Sequence, residues 1–215
     1  MKIVAGVLAE PPIAGTCKKA LYAAYGAEWI AGFYAAVLRD VLDGVQAIAA
    51  EEYVVFAAGA HDVLRRHVPV PWKIVAEPES ADRGARIVHA LEALLARQQD
   101  ARALLLCADA PSFEPSALET VAAAEAFAFA PTEAGDIWAV GATKLETEPF
   151  RDVPWATRAA VETIRVRCKE AAIAFSEGGS AYAVDEPSDV LRLLDELRSH
   201  PDRAPRSAQY LVTHS

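Results

Sequence analysis

The sequence predicts an α/β fold, a three-layer sandwich with a mostly parallel central sheet. Short apolar runs suited to buried strands recur along the chain, and amphipathic helical patterns fall between them. The early intervals are long enough for crossover helices between parallel strands. A sheet of this kind places its ligand site at the carboxyl ends of its strands. The 215 residues, 53% hydrophobic and 24% charged, suffice for a substantial core.

The first element is the run Lys2–Leu8 (KIVAGVL), mostly apolar and closed off by Pro11-Pro12, as expected of a central strand buried on both faces. From Trp29 the apolar residues recur in pairs four apart, Trp29/Ile30, Phe33/Tyr34, Val37/Leu38 and Val41/Leu42. That is a helix with one broad apolar face, and Gly44 supplies a stop signal. Residues 53–57, 72–76 and 103–107 read as further buried strands. Between the last two, residues 82–98 read as a helix in which Ile87, Ala90, Leu91, Leu94 and Leu95 share a face, while Arg83, Arg86, Glu92 and Arg97 mostly lie elsewhere. A helix near 115–125 precedes strands at 127–131 and 137–142, whose separation is too short for a helical crossover. A hairpin or sharp change of direction therefore breaks the parallel repeat. Helices over 157–172 and 187–198 follow. Residues 1–200 read as one domain, and 201–215, rich in Pro, Arg and Ser, as a loosely docked tail.

Thirty acidic against 21 basic residues give a net charge of -9, which repels nucleic-acid backbones and anionic lipid surfaces. Neither is an expected partner. No run approaches the ~20 apolar residues of a membrane span. The apolar start imitates a signal peptide only until Glu10-Pro11-Pro12, and a first strand is the better reading. Cys17, Cys107 and Cys168 are odd in number and far apart, which argues against a disulfide framework and for a reducing cytoplasm.

Three places carry candidate chemistry. The loop Glu10-Pro11-Pro12-Ile13-Ala14-Gly15-Thr16-Cys17-Lys18-Lys19 follows the first strand, with a turn glycine and two lysines. It reads either as a phosphate-binding turn or as an ordinary surface turn, being neither a Walker loop nor a Rossmann fingerprint. Asp109 directly follows a strand, where a carboxylate can serve Mg²⁺ carrying a diphosphate or can fix a turn before Pro111. Asp185 precedes Pro187-Ser188-Asp189 and reads either as a cap of the last helix or as a second metal ligand, the cap being favoured on pattern alone. His61, His67 and His89 lack metal-ligand spacing, and no G-x-S-x-G elbow is present.

Taken together, several segments resemble the bacterial nucleotide-diphospho-sugar transferase-like family of the glycosyltransferase A fold, also called selenodomain-associated transferase-like. Pro12, Gly15, Lys18 and Leu21 fit a family pattern P-x-x-G-x-x-K-T-R-L, with Lys19 and Ala20 in place of Thr and Arg. Asp109 and Pro111 fit G-x-D-x-P, with Cys107 at the glycine. The segment 130–141 resembles G-P-x-x-D-G-G-Y-x-L-x-G, keeping Pro131, Gly135 and Gly141 but carrying Ala134 and Asp136 at the acidic and second-glycine positions. Phe150, Pro154, Trp155 and Thr157 match F-x-x-x-P-W-x-T, and 182–191 resembles D-V-D-T-P-x-D-L with Ala183 at its first Asp.

The resemblance implies a metal-dependent nucleotidyl- or glycosyltransferase acting on a nucleotide or nucleotide sugar and a small-molecule acceptor. It implies nucleotide binding by Pro12, Gly15, Lys18 and Lys19, and Mg²⁺ or Mn²⁺ at Asp109 with Asp185. Catalytic candidates are Asp109, Glu133 and Asp136, the last two able to stand in for the acid missing at Ala134. The alternative is a catalytically inactive protein of the same fold that binds a metabolite or a partner, since Ala20 and Ala134 remove two polar groups together.

Overall fold

The computed structural model describes residues 2–78 and 82–214. In chain order the elements are β1 (Lys2–Leu8), α1 (Ala27–Gln46), β2 (Glu52–Ala57), α2 (His61–Arg65), β3 (Lys73–Ala76), α3 (Arg83–Leu95) and β4 (Ala101–Cys107). There follow α4 (Glu119–Ala122), β5 (Phe127–Pro131), β6 (Ile137–Ala142), α5 (Ala160–Glu170), β7 (Phe175–Glu177), α6 (Pro187–Ser199) and α7 (Pro205–Thr213). One seven-stranded sheet runs in the order β3-β2-β1-β4-β6-β5-β7. Strand β1 pairs in parallel with β2 and β4, and β2 with β3, as crossover helices require.

The expected break in the repeat is the hairpin β5–β6. Only residues 132–136 join the two strands, closed by the Thr132 amide donating to the Asp136 carbonyl at 2.6 Å. Strand β6 therefore runs antiparallel to both β4 and β5, and β7 adds in parallel at the far edge.

Alternation along the strands divides the core into two layers. Ala5 and Val7 of β1, with Leu104 and Leu106 of β4, face the side covered by α1, α6 and α7. Val4, Leu8, Leu105 and Cys107 face α3 and α5. On α1 the paired spacing buries Ile30, Phe33, Tyr34, Val37, Leu38, Val41 and Leu42, each worth roughly 2 kcal/mol, which outweighs the modest helix propensity of its branched and aromatic residues. Gly44 does not stop this helix, which runs to Gln46. A Cβ there would lie 2.9 Å from the Phe113 ring, so the glycine serves close packing.

The C-terminal segment also departs from expectation. Residues 205–213 form α7, packed on α1 rather than loosely docked. The buried Asp40 of α1 accepts from the Arg206 amide at 3.1 Å and the Ser207 amide at 2.8 Å, satisfying donors that a helix start leaves open. The Tyr210 hydroxyl donates to the Trp29 carbonyl at 2.9 Å, and the Trp29 indole donates to the His214 carbonyl at 3.0 Å. No described helix is long and apolar enough to cross a membrane.

Candidate functional site

A cavity of about 470 Å³ opens where β1 and β4 end, lined by Glu10, Thr16, Lys18, Lys19, Ala20, Tyr34, Arg83, Arg86, Cys107, Asp109 and Asp185 among others. The loop after β1 enters it through a tight turn. Cys17 is fully buried, and Lys18 takes a left-handed backbone conformation (φ 48°, ψ 51°), uncommon for a residue with a side chain. Its amide donates to the Glu10 carboxylate at 3.3 Å. The turn sends the Lys18 side chain inward, leaving it only 8% exposed.

There the Lys18 ammonium joins two carboxylates. It donates to Asp109 Oδ1 and, at 2.7 Å, to Asp185 Oδ1. Asp109 comes from the end of β4 and Asp185 from the loop before α6, and the Val184 amide donates to the Asp109 carbonyl at 2.8 Å, holding the two segments together. The Lys18 ammonium also lies 5.8 Å from the centre of the Tyr34 ring, whose hydroxyl accepts from the Glu10 amide at 2.9 Å. Asp185 does not cap α6. Glu186 is the N-cap, and the Asp189 carboxylate accepts from the amides of Asp185 and Glu186 in a capping box, leaving the Asp185 side chain to Lys18.

Burial opposes charge on Lys18, but the fields of Asp109 and Asp185 outweigh it and raise its pKa. Burial likewise opposes charge on Asp109, while Lys18 and Arg83 hold its carboxyl below the ordinary value. The pair is ionic at neutral pH. Burial, and then the Asp109 charge, push the Tyr34 phenol up and keep it neutral. Burial also pushes up the Cys107 thiol, against the opposing charge of Arg83.

Arginines absent from the sequence-based site complete the crevice. Arg86 grips the Glu77 carboxylate with Nε and Nη2, the shortest contact being 2.8 Å, and Nη2 reaches the Ala9 carbonyl at 3.3 Å. The Glu77 side chain is 0% exposed. Arg83 lies at the start of α3, beside Cys107 and Asp136. One signal was visible in the sequence: two arginines in the opening turns of a helix, where the macrodipole favours acids.

The structure thus unites Lys18, Lys19, Asp109 and Asp185 in one cavity. Pro12 and Gly15 (φ 87°) shape the loop without lining that cavity. Glu133 lies outside it. Its carboxylate pairs with Arg192 at 2.6 and 2.9 Å and lines a different cavity of about 360 Å³ with Tyr182 and Glu196. Asp136 is buried behind the crevice against Arg83, and Ala134 is exposed outside it.

Sequence comparison decides the family. The chain belongs to DUF2064, described as "Uncharacterized protein conserved in bacteria". The family model matches residues 41–157, which include Arg83, Asp109, Asp136 and Trp155. No curated protein matches the sequence. Among solved structures, a candidate nucleotide-diphospho-sugar transferase from Desulfovibrio desulfuricans G20 is similar with a TM-score of 0.87 at 17% identity, covering 99% of this chain and 95% of that one. A CMP:2-keto-3-deoxy-manno-octonic acid synthetase complexed with CTP is similar with a TM-score of 0.58 at 13% identity, over 93% of this chain and 100% of that one. A manganese complex of Rv0371C from Mycobacterium tuberculosis H37Rv gives a TM-score of 0.55 at 18% identity, over 91% of this chain and 98% of that one. The fold is therefore of the nucleotide-diphospho-sugar transferase, glycosyltransferase A type.

Proposed function

We propose that this chain is a metal-dependent nucleotidyl- or glycosyltransferase that holds the phosphates of a nucleotide or nucleotide sugar in the Lys18 crevice. The observation that carries this reading is the buried Lys18 ammonium joined to Asp109 and Asp185 at the strand ends. Two carboxylates converging on one cationic centre are hard oxygen donors of the kind that Mg²⁺ and Mn²⁺ take. Among the described residues no group of three His, Cys, Asp or Glu side chains is arranged to hold a metal ion. A metal held by Asp109 and Asp185 would thus complete its shell with phosphate oxygens and water, as Mg²⁺ commonly does. When bound it would neutralise charge gathering on the phosphate.

The chain's own groups supply the rest. Lys19, exposed, adds positive charge to the crevice, Lys18 sits inside it between Asp109 and Asp185, and Arg86 is held at its wall by Glu77. Fixed cations in a partly dry cleft stabilise developing phosphate charge without a covalent intermediate.

A second reading, ligand binding without turnover, is favoured by one observation: Glu133 is paired with Arg192 and Asp136 with Arg83, and neither lines the crevice to serve there as an acid or base. The two readings separate in one experiment. A thermal-shift panel of nucleoside triphosphates and nucleotide sugars, with and without Mg²⁺ or Mn²⁺, should reveal a metal-dependent ligand. At about 100 times its dissociation constant such a ligand adds ~2.7 kcal/mol of stability. Asp109→Asn should remove the metal-dependent part of that shift while the protein stays folded, and pyrophosphate or nucleoside diphosphate release reports turnover. Metal-dependent binding that survives Asp109→Asn would reject the assignment of the metal to this crevice.

A further inference from the structure

Where the resembled family pattern carries an arginine this chain has Ala20, which leaves only a methyl group in the crevice wall. The same cavity is lined by Arg83, the first residue of α3. Resting on the nucleotide-binding reading above, we propose that Arg83 is the phosphate-gripping residue of this crevice, supplying the guanidinium absent at position 20. Asp136 and the 150–155 segment are then positioning groups that hold it there.

Arg83 is held from three sides. Its Nη2 donates to the Ile137 carbonyl at 2.9 Å and to Cys107 Sγ at 3.3 Å, and its Nη1 lies 3.3 Å from Asp136 Oδ2. Asp136 is itself fixed, with Oδ1 accepting from the Ile137 amide at 2.6 Å and Oδ2 from the Ala156 amide at 3.1 Å. These bonds aim a buried carboxylate at the arginine rather than at solvent. On the third side the guanidinium carbon sits 5.6 Å from the centre of the Trp155 ring.

The next residue explains why helix and loop can meet so closely. A Cβ on Gly84 would lie 2.6 Å from the Phe150 carbonyl oxygen and 3.4 Å from Trp155 Nε1. Glycine at that position lets the start of α3 rest on the 150–155 segment. The motif containing Phe150, Pro154 and Trp155 thereby gains a role as the bed of Arg83.

The arrangement suits an anion. A cation in the first turn of a helix opposes the macrodipole, and Asp136 offsets that cost. The side chain stays 28% exposed and lines the same cavity as Lys18. Nη2 is committed to Ile137 and Cys107, but Nη1 carries two hydrogens and Asp136 faces one of them, so the guanidinium can still give a phosphate oxygen a charge-assisted bond.

The test is calorimetry of inorganic pyrophosphate with Mg²⁺ on the full chain, with thermal unfolding run in parallel. Arg83→Met should weaken pyrophosphate binding by roughly ten- to hundredfold, the range for losing a charge-assisted contact. Arg83→Lys should recover little of it, and it serves as the parent for the same comparison if Arg83→Met does not fold. Adding Ala20→Arg should restore most of the lost affinity, because it returns a guanidinium to the same cavity without repairing contacts to Asp136 or Trp155. Asp136→Asn should weaken binding less than Arg83→Met. Wild-type affinity in folded Arg83 variants would overturn the proposal, and so would a loss that Ala20→Arg leaves unrepaired, since that marks a purely structural arginine. If the wild-type chain binds neither pyrophosphate nor any nucleotide, the nucleotide reading fails and this assignment falls with it. Wild-type binding with indifferent Arg83 variants removes the assignment alone.

Discussion

The Lys18 crevice and the Tyr182 cavity both collect opposite charges, yet their surroundings differ. Around Lys18 each pair has at least one buried partner: the Lys18 side chain is 8% exposed between Asp109 at 24% and Asp185 at 57%, and the Glu77 carboxylate that holds Arg86 is 0% exposed. Around Tyr182, Arg192 and Glu133 are 50% and 47% exposed, and Arg203 pairs with an equally open Glu114. In the second cavity the ring of Tyr182 is covered by the Arg192 guanidinium at 3.9 Å, and its hydroxyl is engaged by Glu196. The contrast teaches that ion pairs of similar geometry differ in consequence with burial. A buried charge that loses its partner has no water to replace it, whereas an exposed one is solvated and screened.

The largest expected effect comes from breaking the buried arrangement. Lys18→Met should lower unfolding stability by about 3 kcal/mol in urea denaturation, because Asp109, 24% exposed, is left without its cation. An unchanged midpoint would mean that the crevice is as well hydrated as the outer cavity.

Acid titration sharpens the comparison. Asp109 titrates below its ordinary value near 3.8 in the folded chain, with burial opposing and Lys18 and Arg83 overcoming it. The folded state therefore binds that proton less readily than the unfolded one. The stabilisation is fully present above about pH 4 and is lost as pH falls through the depressed folded value. Asp109→Asn should flatten this acid limb in thermal unfolding. Glu133 is also held below its ordinary value, by its bond to Arg192, but Glu133→Gln should alter the limb far less because solvent screens an exposed pair. Equal flattening in both variants would erase the distinction between the cavities.

The smallest effect should be that of Arg192→Met, below about 1 kcal/mol in stability. Nucleotide affinity by calorimetry should not change, since Arg192 does not line the Lys18 crevice. A clear loss of affinity would bring the second cavity into the binding site.

Much of the fold was legible in order along the chain. Lys2–Leu8, Phe127–Pro131 and Ile137–Ala142 have the expected bounds, and the short interval before Ile137 required the reversal seen in β6. These features are local, because a strand's apolar run and the length of a connection can be read without knowing what lies opposite. The edge strand β7 was not legible. It has three residues, none fully buried, too few for a period to emerge.

By itself, the sequence determined the layered α/β plan and placed Asp109 at the carboxyl edge of the sheet, directly after a buried run, while Lys18 stood out through its glycine-and-lysine loop and the family resemblance, and Asp185 only as a cap or second ligand before the last helix. Only the tertiary structure decided which polar groups meet. Arg83 and Asp136 are far apart in sequence yet form one pair, Asp40 caps a helix that composition alone presented as a tail, and Glu133 turns away to Arg192. Hydrophobic periodicity specifies which face of an element is buried, but many neighbours satisfy an apolar face equally well. The partner of a charged side chain depends on distances and desolvation that exist only once the layers have packed.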